Sequence, residues 1–302
     1  MNLRAVGVLP TLALVGVTAA WGSTFFLIKD LLDEISVLDF LSVRFVLAAA
    51  VLVALAPRSM MRLSSQEVKR GVLLGLVYGV AQVLQTFGLE RTSASVSGFV
   101  TGMYVILTPL LAALVLRQRI GRWVWFAVLL ATIGLGFLSL QGLAVSPGVA
   151  LVFASAVLYA VHILGLGQWA SAANALGLSV VQMIVIAVVC TAASAPNGIA
   201  APQTNSGWWS LLYMAVVAGA GALLAQTWAQ AHLSSTRAAV IMTMEPVFAA
   251  AFAVLLGGEL LTARMAVGGS LVLAAMFVVE LAPQEMDEAE VQQLPARGLS
   301  GV

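Results

Sequence analysis

Glu245 lies near the middle of an apolar, small-residue stretch, 236–256, that is long enough to cross a bilayer. A carboxylate at mid-bilayer costs about 2.5–3.5 kcal/mol on insertion scales, so it needs a cavity, a partner or a proton. Pro246 follows it, and a proline within a helix deprives the carbonyl one turn back, here Met242, of its donor. Two readings of Glu245 stay open. It could bind a cationic group or take up a proton during turnover, or a hydrogen-bonded carboxyl could simply hold its helix against neighbours.

Two polar stripes belong beside it. Tyr78, Gln82 and Gln85 stand at i, i+4 and i+7 on one helix face, and Ser97, Thr101, Tyr104 and Thr108 follow the same spacing further on. Polar residues placed so regularly on apolar helices should face protein or water, not lipid. Interhelical hydrogen bonding, at about 0.6–2 kcal/mol per contact, is the plainer alternative to lining a pathway. The lining set taken from the sequence is Trp21, Tyr78, Gln82, Tyr104, Tyr159, His162, Trp228 and Glu245. His162 carries its own alternative, since a lone histidine in a bundle is more often packed and hydrogen-bonded than a ligand. Arg44 has two readings in the same way, pairing with a carboxylate inside the bundle or lying with its guanidinium in the outer interface, and the structural reading is the favoured one. Lys29, near a helix end beside Asp30, Asp33 and Glu34, reads as snorkelling.

The elements that must hold these residues follow from composition. Hydrophobic residues are 61% and charged residues 9% of the chain, against about 45–50% and about 25% in soluble domains. So few charges cannot clothe a soluble surface, and the chain reads as an all-α polytopic membrane protein. Ten segments approach the roughly 20 residues a spanning helix needs: 12–32, 38–56, 71–89, 93–116, 122–140, 147–167, 177–194, 208–231, 236–256 and 264–281. The first apolar run is too long for a signal peptide and reads as a spanning helix. With the N-terminus cytoplasmic, Arg58, Arg62, Lys69, Arg70, Arg117, Arg119, Arg122 and Arg237 fall on that side, so both termini are expected inside. The acidic end, 282–302, reads as a disordered cytoplasmic tail.

The chain also repeats. A shift of 141 lays Gln85-Thr86-Phe87 on Gln226-Thr227-Trp228, Met103 on Met244, Tyr104 on Glu245 and Gln118 on Glu259. A shift near 138 lays Trp21 on Tyr159 and Arg44 on Gln182. Two units, 10–141 and 146–281, each of five helices, have odd parity. The second must therefore be inverted, with a substrate site near the midplane between them.

Other function classes find little support. Net charge is +1 without a basic stripe, which argues against a nucleic-acid partner. Cys190 is the single cysteine, and the two histidines, His162 and His232, form no metal motif, so neither a metal nor a cofactor is expected. Gly71, Gly75 and Gly79, like Gly98 and Gly102, make small-xxx-small ridges for close helix approach, within the chain or between copies in a homo-oligomer. An intramembrane enzyme would need a nucleophile–base set that the sequence does not offer. A lipid-carrier flippase remains an alternative on the same architecture.

Several motifs, in order, resemble the EamA-type branch of the drug/metabolite transporter superfamily. They are Ala20-Trp21-Gly22-Ser23-Thr24, Arg44, Gly88-Leu89-Glu90-Arg91-Thr92-Ser93-Ala94, Thr108-Pro109, and Glu245-Pro246 followed by Gly257-Gly258-Glu259. The likeness spans about residues 10–281. It implies ten transmembrane helices as two inverted five-helix repeats, with both termini cytoplasmic. It also implies export or facilitated movement of small metabolites, amino-acid-like or amphipathic, across a bacterial inner membrane. Gln118 departs from the pattern, standing where members often carry an acid matching Glu259.

Overall fold

The computed structural model describes residues 3–116, 121–141, 144–171, 173–230 and 241–281. Gln118, His232, Arg117, Arg119, Arg237, the start of the 236–256 segment and the expected tail lie outside them. Within the described residues the chain is helical apart from one two-residue antiparallel pair, Leu140–Gln141 with Ala144–Val145. Helices are what a lipid solvent permits, because every backbone polar group must be satisfied within the segment. Among the described residues, seven helices are long and apolar enough to cross a membrane, and three shorter apolar helices accompany them, Arg122–Leu138, Glu245–Leu255 and Ala263–Val279.

The first four helices are α1 (Leu3–Leu32), α2 (Val37–Leu55), α3 (Ser65–Glu90) and α4 (Ala94–Gly102). After a one-residue break at Met103 come α5 (Tyr104–Leu116), α6 (Arg122–Ser139), α7 (Pro147–Trp169) and α8 (Ala175–Ser194). Next, α9 (Asn205–Ala215) runs through a π-helical turn, Val216–Gly221, into α10 (Ala222–Gln230). The last two are α11 (Glu245–Leu255) and α12 (Ala263–Leu281). Large apolar side chains such as Leu9, Leu55, Trp209 and Leu260 are exposed, as lipid-facing surface should be. One core cluster joins α1, α2, α8 and α9 around Phe40, Phe45 and Leu211. A second gathers Leu14, Ile106, Tyr159 and Met276 from α1, α5, α7 and α12.

Small residues set the helix crossings. A Cβ at Gly71 or Gly75 would stand 2.9 Å from Val181 or Val185 of α8, so this ridge serves packing within the chain. Gly134 of α6 and Gly268 of α12 cross reciprocally. A Cβ on either would meet the other's carbonyl oxygen, at 2.8 and 2.9 Å.

At one end of the bundle, charged side chains satisfy helix termini on neighbouring elements. Glu259 accepts from the amides of Ala94 (2.5 Å) and Ser95 (3.2 Å), and Ser93 Oγ accepts from Val96, so three amides at the α4 N-terminus are capped. Gly258, at φ +68°, makes the left-handed turn that carries Glu259 there. Lys29 donates to the carbonyls of Leu89 and Thr92 at the C-terminus of α3, so it caps a helix and does not snorkel. Glu34 accepts from Thr204 Oγ1 (2.6 Å) and the amides of Gln203 and Thr204 at the start of α9. The Thr204 hydroxyl above all holds the Glu34 carboxyl below the usual carboxylate range. Ser194 bonds Asp39, and Arg264 donates twice to the Phe137 carbonyl at the end of α6.

Candidate functional site

The spans carrying Tyr104 and Glu245 break at equivalent residues. Met103 interrupts the first, donating its amide to Val100 O and accepting from Ile106 and Leu107. In the second, Met244 donates to Ile241 O and the helix restarts at Glu245, so Pro246 falls in a first turn, where a proline is tolerated. The break in the helix, more than a proline kink, is therefore what opens the backbone here. Tyr104 and Glu245 each begin a half-helix, where the amides face outward and the dipole favours negative charge. Across this break the Tyr104 hydroxyl donates to Glu245 Oε2 at 3.0 Å, with both residues buried.

Three close approaches bring α11 to this position. A Cβ at Gly22 of α1 would stand 2.6 Å from Phe248 Cβ and 2.8 Å from the Ala249 nitrogen. At Gly98 of α4 it would stand 2.5 Å from Ala249 Cβ, and at Gly102 it would stand 3.1 Å from Pro246. The small residues of α1 and α4 thus let the helix bearing Glu245 sit between them.

Tyr104 and Glu245 face a cavity of about 90 Å³ with room for several waters. The stripe on α3 forms one wall. Gln82 Nε2 donates to Tyr159 OH (2.7 Å) and Tyr78 OH (3.2 Å), Tyr159 OH donates to Gln85 Oε1 (2.9 Å), and Gln85 Nε2 donates to Thr101 Oγ1 (2.9 Å). Tyr78 packs its ring against Tyr159 and His162, with centroids 5.5 and 5.0 Å away. His162 Nε2 is bonded to Gln182 Oε1 at 2.6 Å. From α1, Trp21 presents its indole to the cavity while Nε1 donates to the Ala218 carbonyl at 2.9 Å. That carbonyl lies in the π-helical turn, where wider winding loosens the backbone ladder. Phe25, Ile163, Leu166, Leu223 and Met242 supply apolar surface. Leu166 lies three residues before the end of α7, and Gln226 four before the end of α10. The cavity therefore reaches toward the end of the bundle opposite the capped one.

Seven of the eight residues expected to line a pathway surround this one cavity: Trp21, Tyr78, Gln82, Tyr104, Tyr159, His162 and Glu245. Trp228 is a correction. It is 41% exposed and absent from the lining, because Gln226 holds the inward register and a residue two positions on is turned about 200° around the helix. Arg44 is a second correction. It borders the cavity, and among the described residues it is neither paired with a carboxylate nor in the outer interface. Thr24, Gln85, Thr101, Gln226 and Met242 also line the space. The repeat offers a signal for Gln226, which it lays on Gln85. It lays Arg44 on Gln182, the partner of His162, a weaker pointer to the same region.

An all-helical multi-pass bundle with a polar cavity deep among apolar helices is the form of a membrane transporter. The sequence matches the EamA-like transporter family twice, over residues 9–140 and 146–281, and the chain belongs to that family. An uncharacterized transporter from Archaeoglobus fulgidus is 30% identical over 274 residues, covering 89% of this chain and 85% of that protein. A solved crystal structure superposes with a TM-score of 0.64 over 93% of this chain and 98% of its own, at 16% identity, a likeness of fold alone.

Proposed function

We propose that the chain is a secondary transporter or facilitator that exports small metabolites, amino-acid-like or amphipathic, through the cavity shared by Tyr104 and Glu245. The carrying observation is their hydrogen bond. It joins residues 141 positions apart, the same offset that lays Met103 on Met244 at the two helix breaks. A bond between equivalent positions is what an inverted repeat produces at its axis, and the matching helix breaks at Met103 and Met244 support the same symmetry. Ten spanning helices in two inverted five-helix repeats account for both, with a substrate site near the midplane. Alternating access then consists of releasing the capped end while the opposite end closes over the solute. Glu245 is the group through which a proton or a cationic substrate moiety couples to that movement. Lys and Arg placement supports an inner-membrane protein with both termini cytoplasmic, and this puts the capped end on the outer side.

The test is reconstitution of the full chain into liposomes loaded with radiolabelled metabolites, amino acids and hydrophobic cations included, followed by efflux with and without an imposed proton gradient. Protein-dependent efflux of at least one class supports the reading. Efflux no faster than from empty liposomes for every class contradicts it.

A further inference from the structure

Arg44 sits in the middle of α2, is 5% exposed and borders the cavity. Among the described residues it forms no ion pair; the Lys/Arg–Asp/Glu pair found there joins Arg91 to Glu90 at the surface. Its Nε is buried without a hydrogen-bond partner. The guanidinium is held instead by the rings of Phe40 and Phe45, 5.6 and 5.3 Å from their centroids, which orient it and offer no oxygen. The polar groups around it are turned to one another. Tyr159 donates to Gln85, Gln82 donates to Tyr78 and Tyr159, and His162 is bonded to Gln182.

A buried guanidinium whose Nε lacks an acceptor is a destabilising feature for a bundle to carry, and a structural arginine would have been given a carboxylate. What it lacks is a planar oxyanion, the geometry its fork of donors matches in two parallel hydrogen bonds. Glu245 is complementary: one oxygen accepts from Tyr104, and among the described residues the other accepts from nothing. Resting on the reading of this cavity as the substrate site, we infer that Arg44 is its anion-recognising residue, binding the carboxylate of a small solute whose ammonium lies toward Glu245. Arg44 thereby selects zwitterions over the corresponding amines. The apolar surface from Phe25, Ile163, Leu166 and Met242 receives the body of the solute.

The experiment uses matched triplets with isobutyl and benzyl side groups: the α-amino acid, the amine lacking its carboxyl, and the acid lacking its amino group. Binding is read from the thermal shift of the purified full chain, and transport from counterflow in liposomes. The expected wild-type preference for amino acid over amine is about 10- to 100-fold, the ratio a charge-assisted hydrogen-bonded pair commands. Arg44→Gln should bind both members about equally, and Arg44→Lys, which keeps charge but loses the fork, should fall between. Ligand-free Arg44→Met should melt no lower than wild type, because it removes an unmatched buried charge.

Wild-type protein that transports amine and amino acid alike leaves transport standing and overturns the role of Arg44. A preference that survives in Arg44→Gln overturns it too, as does unfolding of both Arg44→Met and Arg44→Gln, which would make the residue structural. If the wild type neither binds nor moves any member of either triplet, the reading of the cavity falls and the inference with it.

Discussion

Two glycines on α1 should respond oppositely to the same added methyl group. At Gly22 a Cβ would lie 2.6 Å from Phe248 Cβ, 2.8 Å from the Ala249 nitrogen and 3.0 Å from the Glu245 carbonyl oxygen. Two of these three neighbours are backbone, so no side-chain rotation relieves the clash, and α1 and α11 must separate by about 1 Å to reach ordinary contact distances near 3.5–4.0 Å. Overpacking of this kind costs about 1–3 kcal/mol. At Gly16, two turns earlier, nothing lies within 4 Å, and alanine is about 0.8–1 kcal/mol better than glycine within a helix. Gly22→Ala should therefore lower the melting temperature of the detergent-solubilised protein, and Gly16→Ala should raise it or leave it unchanged. Because the displaced helix carries Glu245, Gly22→Ala should also slow transport beyond its effect on the folded fraction, while Gly16→Ala transports normally. Equal stability and transport for Gly22→Ala and wild type would refute the close α1–α11 packing on which the cavity depends.

The capped end offers two further predictions. Glu259→Ala strips the α4 N-terminus of the acceptor for two amides, a loss of about 0.5–2 kcal/mol by analogy with N-cap removal. It should raise labelling of cysteines placed in the 91–93 turn by a membrane-impermeant thiol reagent, and unchanged labelling would show that this contact does not hold the end closed. Because the Glu34 carboxyl is held below its ordinary 4.5, chiefly by Thr204, its contribution to stability is fully present above that value. The contribution is lost as pH falls through the lower folded value. Melting temperature should consequently fall less on acidification below pH 4.5 in Glu34→Gln than in wild type, and parallel curves would contradict the assignment.

Much of the fold was legible because lipid leaves few options. Apolar segments near 20 residues long can only be helices, and breaks between them were marked by charges and turn residues. Glu245 and Tyr104 were legible together because the 141-residue offset equated them, and equivalent residues meet where two repeats face each other. Rotation of a helix about its own axis was not legible. Beyond its first turn helix α2 carries only Ser42 and Arg44 as polar residues, too few to set a periodicity that turns Arg44 inward; its seat between Phe40 and Phe45 emerges only from packing. Trp228 failed for the same reason, since an aromatic residue beside a polar one gives no register. The roles of Lys29 and Glu259 depend on partners 60 to 165 residues away and on a glycine turn, contacts no local pattern encodes.

The proposed passage of small solutes through the Tyr104–Glu245 cavity makes the Glu245 carboxyl the group that couples to it. The most direct test of that coupling is efflux from liposomes containing wild type or Glu245→Gln, measured for the same panel of solutes at several pH values. The expected variant is folded and inserted and loses proton-dependent efflux and efflux of cationic or zwitterionic solutes. A Glu245→Gln protein that moves every solute as wild type does, at every pH, would contradict the coupling.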